Sequence, residues 1–156
     1  TCMSSSETTA AVPAMREAAA RVAEFFETLS PASLDQLGAL YTPQAYFKDP
    51  FNEVSTLADI RQIFSHMYAT LEQPHFVVTG CIVDGAQCFL TWEFKFRFKS
   101  YDRRTDQTVR GGSHLKFNAQ GLVEFHRDYW DAAEELYEKL PVVGGLMRWL
   151  KQRARQ

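Results

Sequence analysis

The sequence predicts an α+β domain in which N-terminal helices pack on one face of an antiparallel β-sheet. Up to Pro74, apolar residues recur at three- and four-residue steps, as they do along one face of a helix. After Pro74, apolar and polar residues alternate instead, in four long segments separated by short polar turns. Helices followed by a run of consecutive strands favour the α+β class, with the helices covering one face of the sheet.

Three helices and one short strand are predicted in the first half of the chain. The first helix has an apolar stripe that includes Val22, Phe25 and Phe26. A serine N-cap followed by a proline at the first helical position marks the start of the second helix, and a hydroxyl side chain caps the third. The helices are predicted at Pro13–Leu29, from Pro31 (capped by Ser30) to just before Pro43, and from Ser55 or Thr56 to Tyr68, with the short strand at Ala45–Lys48.

Four long strands follow in the second half of the chain. The second of them alternates most clearly, with Leu90 and Trp92 on one face and Glu93 on the other. One face should therefore contact the core, and the other should contact water or a partner. Gly111-Gly112 inside the third strand predicts a β-bulge or a sharp bend. The strands are predicted at His75–Val83, Ala86–Lys99, Thr108–Phe117 and Leu122–Trp130, and a helix follows at Ala132–Leu140.

The bulk composition predicts one domain without a strong attraction to polyanions. The chain has 156 residues and a net charge of −2, which gives no pull toward nucleic acid or an anionic membrane. No apolar run approaches the ~18 residues that cross a membrane. We expect residues 1–12 to be a disordered or frayed tail and residues 13–156 to form a single cytoplasmic domain. Residues 142–155 are predicted to form a basic C-terminal helix that docks on the domain's own apolar edge, contacts a second copy, or contacts a membrane surface.

Three cysteines, Cys2, Cys81 and Cys88, lack the spacing of a metal site. Cys81 and Cys88 are symmetric about Asp84-Gly85, a good two-residue hairpin turn, which predicts that they lie directly opposite each other across the ladder. A disulfide between directly opposed residues is strained, so two reduced, half-buried thiols are favoured. The histidines lack the helical spacing with acidic residues that holds a metal ion. We predict neither a metal nor another cofactor.

Three stretches of the chain resemble the NTF2-like superfamily, especially its SnoaL-like and ketosteroid-isomerase-like branch. They are LYTPQAYFKDP at Leu40–Pro50, GGSHLKFNAQGLV at Gly111–Val123 and HRDYWD at 126–131, and their order and spacing together carry the resemblance. It spans the chain from about Ala14 to Leu140. The resemblance implies an NTF2-like cone, in which a strongly curved antiparallel sheet wraps around the N-terminal helices and leaves an apolar pocket at the open end. It also implies a homodimer formed through the outer face of the sheet.

The last strand carries the main candidate site residues. Strand alternation places His126, Asp128 and Trp130 on one face and Arg127 and Tyr129 on the other. The resemblance implies that the first of these faces lines the pocket. It also implies that Asp128 is the acid/base residue, because Asp128 matches the aspartate of the H-W-D motif of SnoaL-like cyclases.

The same resemblance points to further pocket positions. Asp49 matches the general-base aspartate of the isomerases, which sits before a proline. The tyrosine and the protonated aspartic acid that stabilise the oxyanion in those enzymes correspond to Phe25 and Ser113, so the strong acidic donors are absent and steroid isomerisation is disfavoured. Either Ser113 or His114, according to the register, should lie beside Asp128. The residues expected to bind a ligand are Tyr41, Trp92, Ser113, Trp130 and Phe25.

These residues point to acid/base chemistry on a small apolar ligand of the carbonyl type. Desolvation in an aromatic-lined cavity raises the pKa of a carboxyl group toward the value that a general base or acid needs. The expected function is a cofactor-free isomerase, cyclase or hydratase in which Asp128 acts with His126 or Asp49. Two alternatives stay open, namely a binding module that holds an apolar ligand without converting it, and a protein-interaction domain that uses the outer sheet face.

Each site residue also has a purely structural interpretation. Asp128 and the neighbouring histidine can form a satisfied polar pair, and an aspartate before proline, such as Asp49, is a common turn former. Asp131 is well placed to cap the helix that follows it. Arg127 can pair with an acid of the neighbouring strand, such as Glu93, on the outer face.

Overall fold

The computed structural model describes residues 5–99, 104–135 and 152. Its elements follow the predicted order, with one additional two-residue strand. They are α1 (Ser5–Glu27), a 3₁₀ helix (Pro31–Ala39), β1 (Tyr41–Lys48), β2 (Glu53–Val54), α2 (Leu57–Thr70), β3 (Leu71–Asp84), β4 (Gln87–Phe98), β5 (Gln107–Phe117), β6 (Val123–Tyr129) and α3 (Ala132–Glu135).

Near the two ends of the chain, the structure departs from the prediction or does not reach it. α1 begins at Ser5 rather than at Pro13, so the backbone of residues 5–12 is helical where a tail is predicted. The predicted C-terminal helix at 142–155 lies outside the described residues except for Gln152. The division into a tail and one domain with a C-terminal extension therefore stays a prediction.

The predicted hydroxyl caps are present at the second and third helices. The N–H of Ser33 donates to Ser30 Oγ at 3.3 Å, and the N–H of Ser30 donates to Ser33 Oγ at 2.8 Å. This reciprocal capping box starts a 3₁₀ helix rather than the α-helix that the spacing suggests. Of the two candidate caps for α2, the structure uses Thr56, whose Oγ1 accepts from the N–H of Asp59 at 3.2 Å.

The sheet has six strands in the order β2-β1-β6-β5-β4-β3. β3 to β6 form the predicted antiparallel meander, whereas β1 pairs in parallel with β6 and antiparallel with β2. β1 begins at Tyr41, earlier than the predicted Ala45. The parallel pairing sets Phe47 opposite His126. β1 therefore carries large aromatic side chains to the part of β6 that holds the candidate site residues.

The helices cover the inner face of the sheet and close the core, as predicted. α1 contributes Val22 and Phe26, and α2 contributes Ile60 and Phe64; all four side chains are buried. They pack against inward-facing strand residues that include Leu90. Burial of this apolar surface is the main favourable term in folding. Within the described part of the chain, no helix is both long enough and apolar enough to span a lipid bilayer.

The glycine pair in β5 makes room for aromatic rings instead of forming a bulge. The register between β4 and β5 is unbroken through Gly111 and Gly112, so the predicted bulge is wrong at this position. A Cβ atom at Gly111 would lie 2.6 Å from the Trp92 ring on the inner face, and one at Gly112 would lie 2.4 Å from the Phe89 ring on the outer face. The missing side chains let both rings lie directly over the β5 backbone.

The hairpin between β3 and β4 does not place the two cysteines opposite each other. The turn is at Gly85-Ala86, one residue later than predicted, so Cys81 pairs with Leu90 and Cys88 pairs with Val83. Both thiols are free, with Cys81 exposed and Cys88 buried. Burial is the main cause that raises the pKa of Cys88 to about 12. A two-residue turn fixes the register, and a shift of one position changes every cross-strand pair.

The two thiols should therefore differ in reactivity. At pH 8 a thiol with a pKa of about 12 is ionised in only ~1 molecule in 10⁴, and the thiolate is the nucleophile. In a Cys2→Ser background, we expect iodoacetamide to modify Cys81 at least ~100-fold faster than Cys88 in the native protein. Peptide mass spectrometry measures both rates, and urea-unfolded protein is the control in which the two rates converge. Equal native rates would contradict the buried position of Cys88.

Candidate functional site

An apolar cavity of about 290 Å³ lies between the inner face of the sheet and α2. Its walls are formed by strands β1, β4, β5 and β6, by two residues of β3, and by the loop between β1 and β2. Most of the lining side chains are aromatic or aliphatic, as in many small-molecule sites. The lining residues are Phe47, Asp49, Phe51, Asn52, Ile63, Phe64, His66, Met67, Thr70, Leu71, Phe76, Trp92, Phe94, Phe96, Phe98, Val109, Asp128 and Trp130.

The two predicted carboxylates converge on this cavity. Asp128 reaches it from β6, and Asp49 reaches it from the end of β1. The alternation along β6 is as predicted, because Asp128 and Trp130 line the cavity while His126 is buried behind them. The sequence-derived placement of Trp92 in the cavity wall is also found in the structure.

One oxygen of Asp128 is held by a hydrogen-bond chain that crosses the sheet. Ser113 lies directly opposite Asp128 on β5, and its hydroxyl donates to Asp128 Oδ1 at 2.5 Å. The indole N–H of Trp92 donates in turn to Ser113 Oγ at 2.9 Å. Ser113 is 4% exposed. The structure thus resolves the choice between Ser113 and its neighbour, because His114 instead contacts Gln87 through Nε2 at 2.8 Å.

The hydrogen-bond chain continues from Asp128 through His126 to the interior of the protein. His126 Nε2 lies 2.6 Å from Asp128 Oδ1, and His126 Nδ1 lies 2.6 Å from Tyr41 Oη. His126 is 2% exposed and Tyr41 is 0% exposed. The rings of Phe26 and Phe47 pack edge-on against the imidazole, with centroids 5.7 Å and 4.7 Å away.

The geometry of this hydrogen-bond chain indicates which atom carries each proton. Burial is the main cause that raises the pKa of Tyr41 well above its usual value, so its hydroxyl keeps its proton. Among the described residues, that hydroxyl has no acceptor other than His126 Nδ1. A neutral imidazole that accepts at Nδ1 then carries its proton on Nε2 and donates to Asp128 Oδ1. This arrangement satisfies every group of the buried chain and leaves Asp128 as the acceptor at its outer end.

The second oxygen of Asp128 remains open to the cavity. Within the part of the chain that the structure describes, Oδ2 accepts no hydrogen bond, and the Asp128 side chain is 17% exposed. A space of about 20 Å³ behind the carboxylate, bordered by Ser113 and His126, is large enough for one water at most. The carboxylate is thus oriented by Oδ1 and able to exchange a proton through Oδ2.

The carboxylate of Asp49 accepts more hydrogen bonds than that of Asp128. Its Oδ1 accepts from the N–H of Phe51 at 2.8 Å and from the N–H of Asn52 at 2.7 Å. The side-chain amide of Asn52 lies 3.1 Å from each of its carboxylate oxygens. These contacts form an Asx-type turn, which is the structural alternative that an aspartate before a proline suggests.

One of the expected ligand-binding residues, Phe25, lies elsewhere. Phe25 faces a shallow surface hollow beside Arg21 and Thr28, not the cavity. Its neighbour Phe26 is the residue that faces inward and reaches His126. The spacing of Val22 and Phe26, four residues apart on one helix face, was the signal for this choice.

Tyr41 and Ser113 support the site rather than line its main cavity. Tyr41 is absent from the lining and contacts the imidazole of His126 instead, with the two rings stacked 6.0 Å apart. Ser113 borders only the small space behind Asp128. Both residues act on the cavity through the hydrogen-bond chain.

The remaining predictions near β6 have one positive and one negative outcome. Asp131 caps α3 as predicted, since its Oδ1 accepts from the N–H of Glu134 at 3.1 Å. The pairing of Arg127 with Glu93 is wrong. The guanidinium of Arg127 lies 4.8 Å from the centre of the Tyr129 ring, and Glu93 is instead contacted by a guanidinium from β5. Alternation defines the face of a side chain but not its partner on that face.

The sequence reasoning missed the rim of the cavity. Phe51, His66 and Thr70 line its mouth. The signal for the two α2 residues was their position on the turn next to the inward stripe of that helix. Phe51 lies in an irregular loop, where no periodicity identifies an inward position; its ring packs edge-on against Trp130 at 5.6 Å. Among the described residues, no cluster of three potential ligands could hold a metal ion.

Comparisons with known proteins agree with this fold. A family profile described as SnoaL-like domain matches residues 22–126. The search of curated proteins finds no significant match. Three solved structures illustrate the likeness, each with a TM-score of 0.66.

The first is an LEH-like epoxide hydrolase from M. tuberculosis, 13% identical, which covers 87% of this chain and 93% of its own. The second is an NTF2-like protein of unknown function from Burkholderia pseudomallei K96243, 12% identical, with 78% of this chain and 93% of that chain covered. The third is a candidate SnoaL-like polyketide cyclase from Jannaschia sp. CCS1, 13% identical, with coverages of 78% and 88%. At these identities the likeness shows an NTF2-like fold.

Proposed function

The chain belongs to the SnoaL-like domain family, and on this basis we propose that it is a cofactor-free acid/base enzyme whose proton acceptor is Asp128. The observation that carries the proposal is the asymmetry of this carboxylate. Oδ1 is fixed by Ser113 and His126, while Oδ2 accepts no hydrogen bond from the described residues, and Asp128 lines an apolar cavity. A positioned carboxylate shielded from water is a suitable general base.

The arrangement suits proton transfer at a carbon atom next to a polarised double bond. Asp128 Oδ2 takes the proton, and the chain through His126 to Tyr41 keeps the carboxylate oriented while its charge changes. The indole N–H of Trp130 lines the cavity and donates to no acceptor among the described residues, so it is available to a ligand oxygen. The substrate is a small apolar molecule of the carbonyl type, and the reaction is an isomerisation, a cyclisation or a hydration.

The proposal assigns Asp49 a supporting role. Its carboxylate accepts from two backbone N–H groups and from the Asn52 side chain, so its oxygens are occupied by contacts within the loop. Asp49 therefore shapes the loop that carries Phe51 to the mouth of the cavity. Solved structures of similar fold include one named as an epoxide hydrolase and one named as a candidate polyketide cyclase, which is compatible with an enzymatic function but does not specify the substrate.

The test is proton exchange on a simple apolar ketone. 2-Tetralone has acidic α protons and no other ionisable group, and ¹H NMR in D₂O follows their replacement by deuterium. Exchange well above the buffer rate, which disappears when Asp128 is replaced by asparagine, supports the proposal. Binding of the ketone in the cavity without any acceleration of exchange would instead favour a binding module.

We also propose that the protein forms a homodimer through the outer face of the sheet. This face exposes Ile82 (67%) and Tyr129 (45%), and Phe89 lies between them, with its ring 6.5 Å from that of Tyr129. The opposite end of the same face is charged and already internally paired, since Arg97 contacts Asp106 at 2.6 Å. The apolar end is therefore the better contact surface.

Replacing Ile82 by glutamate should convert the dimer to a monomer. A charge buried at the centre of an apolar interface costs several kcal/mol unless it is paired. Sedimentation velocity measures the assembly state, and Lys95→Gln at the charged end is the control that should leave the dimer intact. A wild-type protein that sediments as a monomer at high concentration would refute the proposed dimer without affecting the cavity.

A further inference from the structure

The cavity is negatively charged and lacks a cationic side chain among its described lining residues. Its carboxylates are Asp49 and Asp128, and none of the described lining residues is a lysine or an arginine. The hydrogen-bond partners of Asp128 among the described residues are the hydroxyl of Ser113 and the imidazole of His126, whose Nδ1 contacts the Tyr41 hydroxyl. Neither partner is a lysine or an arginine, so the carboxylate would attract a cationic ligand and repel an anionic one.

Aromatic faces strengthen the preference for positive charge. Trp92 and Trp130 both line the cavity together with Phe76, whose ring lies edge-on to Trp92 at 5.5 Å. The faces of such rings carry negative electrostatic potential, and tryptophan attracts organic cations most strongly. A carboxylate at the wall of an aromatic cavity is the arrangement that binds ammonium groups without needing hydrogen-bond donors.

The hydrogen-bond donors of the cavity are mostly committed to the protein itself. The N–H of Trp92 donates to Ser113, the amide of Asn52 donates to Asp49, and the hydroxyl of Thr70 donates to the carbonyl of His66 at 2.9 Å. The Trp130 N–H and the exposed His66 ring remain. An enolate formed beside Asp128 would thus depend on these two donors for the stabilisation that such anions require.

A cationic substrate removes this difficulty. When a C–H bond next to an iminium group, C=N⁺, breaks, its proton goes to Asp128 Oδ2 and its electron pair forms a C=C bond. The π electrons of the C=N⁺ bond return to nitrogen as a lone pair. The products are a neutral enamine and a neutral carboxylic acid, so no oxyanion has to be stabilised. The attraction between the cation and the carboxylate also brings the two reacting groups together.

We propose that the cavity binds an apolar organic cation, an ammonium or iminium compound, with its positive charge beside Asp128 and its carbon groups against Trp92 and Trp130. This inference deepens the proposed function and rests on it for the proton-transfer step. The binding part stands by itself, because it follows from the charge and the rings of the cavity.

Three probes of one shape and different charge test this inference. Benzyltrimethylammonium is the cation, neopentylbenzene is its neutral isostere, and benzylsulfonate is the anion. In ¹H–¹⁵N chemical-shift titrations, we expect the cation to bind at least ~10-fold more tightly than the neutral isostere and the anion not to bind. Equal or tighter binding of the neutral isostere would overturn the inference.

Two variants show which residues cause the preference for the cation. Asp128→Asn should lower the ratio between cation and neutral isostere by at least ~3-fold, and Trp130→Leu should weaken cation binding while keeping part of the ratio. The titration spectra themselves show whether each variant is folded, and Trp130→Leu keeps the test valid if Asp128→Asn does not fold. A ratio that is unchanged in Asp128→Asn would overturn the assignment of the charge to that carboxylate.

The same data separate this inference from the proposed function. Exchange on 2-tetralone without any preference for the cation would leave the enzyme proposal in place and refute the cationic ligand. A clear preference for the cation without proton exchange on 2-tetralone or on a cyclic iminium ion would keep the ligand class and refute the enzyme proposal.

Discussion

The Asp128→Asn variant is expected to exchange the α protons of 2-tetralone at least ~100-fold more slowly than the wild-type protein, because a positioned general base contributes about that factor or more. Asparagine has the same shape, and its amide oxygen can still accept from Ser113 and His126. It differs in basicity, since an amide cannot take a proton at neutral pH. The expected loss is therefore in the rate of exchange, while the affinity for the ketone changes little.

Asp49→Asn is the matched control, because both residues line the same cavity. Asparagine can also form an Asx-type turn with the backbone N–H groups of Phe51 and Asn52, so the loop should keep its conformation. Its exchange rate should stay within about threefold of wild type if Asp49 is not the base. Loss of exchange in Asp49→Asn together with retention in Asp128→Asn would show that the roles of the two carboxylates are reversed.

The class of the fold and the strand that carries the site could be predicted from the sequence because both depend on periodicity. Alternation along β4 is a local property, so the inward position of Trp92 follows without knowledge of the rest of the chain; along β6, alternation groups Asp128 with Trp130, and the resemblance assigns their face to the pocket. The resemblance adds the order and spacing of three short motifs, and these predict the overall cone. Periodicity did not reveal β2 or the pairing of β1 with β6, because a two-residue strand and a parallel neighbour leave no local signal.

Register and partners were the parts that the sequence could not supply. A turn shifted by one residue placed Cys81 diagonal to Cys88 instead of opposite it, and the space left by Gly111 held a Trp92 ring rather than a bulge. Tyr41 was expected in the pocket wall, but its hydroxyl forms a hydrogen bond with His126. The positions of the Trp92 ring and of Tyr41 depend on contacts between residues far apart in the chain, which local patterns do not encode. The register of the hairpin depends on which two residues form the turn, and neighbouring residue pairs were equally compatible with one.

Replacing His126 by leucine is expected to lower the free energy of unfolding by about 3–5 kcal/mol, the usual cost of breaking a buried polar pair. The side chain is 2% exposed and bonds to both Tyr41 and Asp128. Leucine fills most of the space but leaves the Tyr41 hydroxyl buried without a partner, and Asp128 loses one of its donors. Urea denaturation followed by circular dichroism gives the difference, and His114→Leu on the outer face is the control, with an expected loss under ~1 kcal/mol.

A double-mutant cycle with Tyr41→Phe shows whether the loss arises from the hydrogen-bond chain or only from changed packing. Tyr41→Phe alone leaves His126 Nδ1 without its donor and should cost about 1–3 kcal/mol. Once His126 is leucine, removing the Tyr41 hydroxyl takes away an unsatisfied buried group, so the second change should be neutral or stabilising. The coupling between the two sites should thus exceed ~1 kcal/mol. Additive losses would mean that Tyr41 does not support His126. The hydrogen-bond chain that begins at Asp128 would then end at the His126 imidazole.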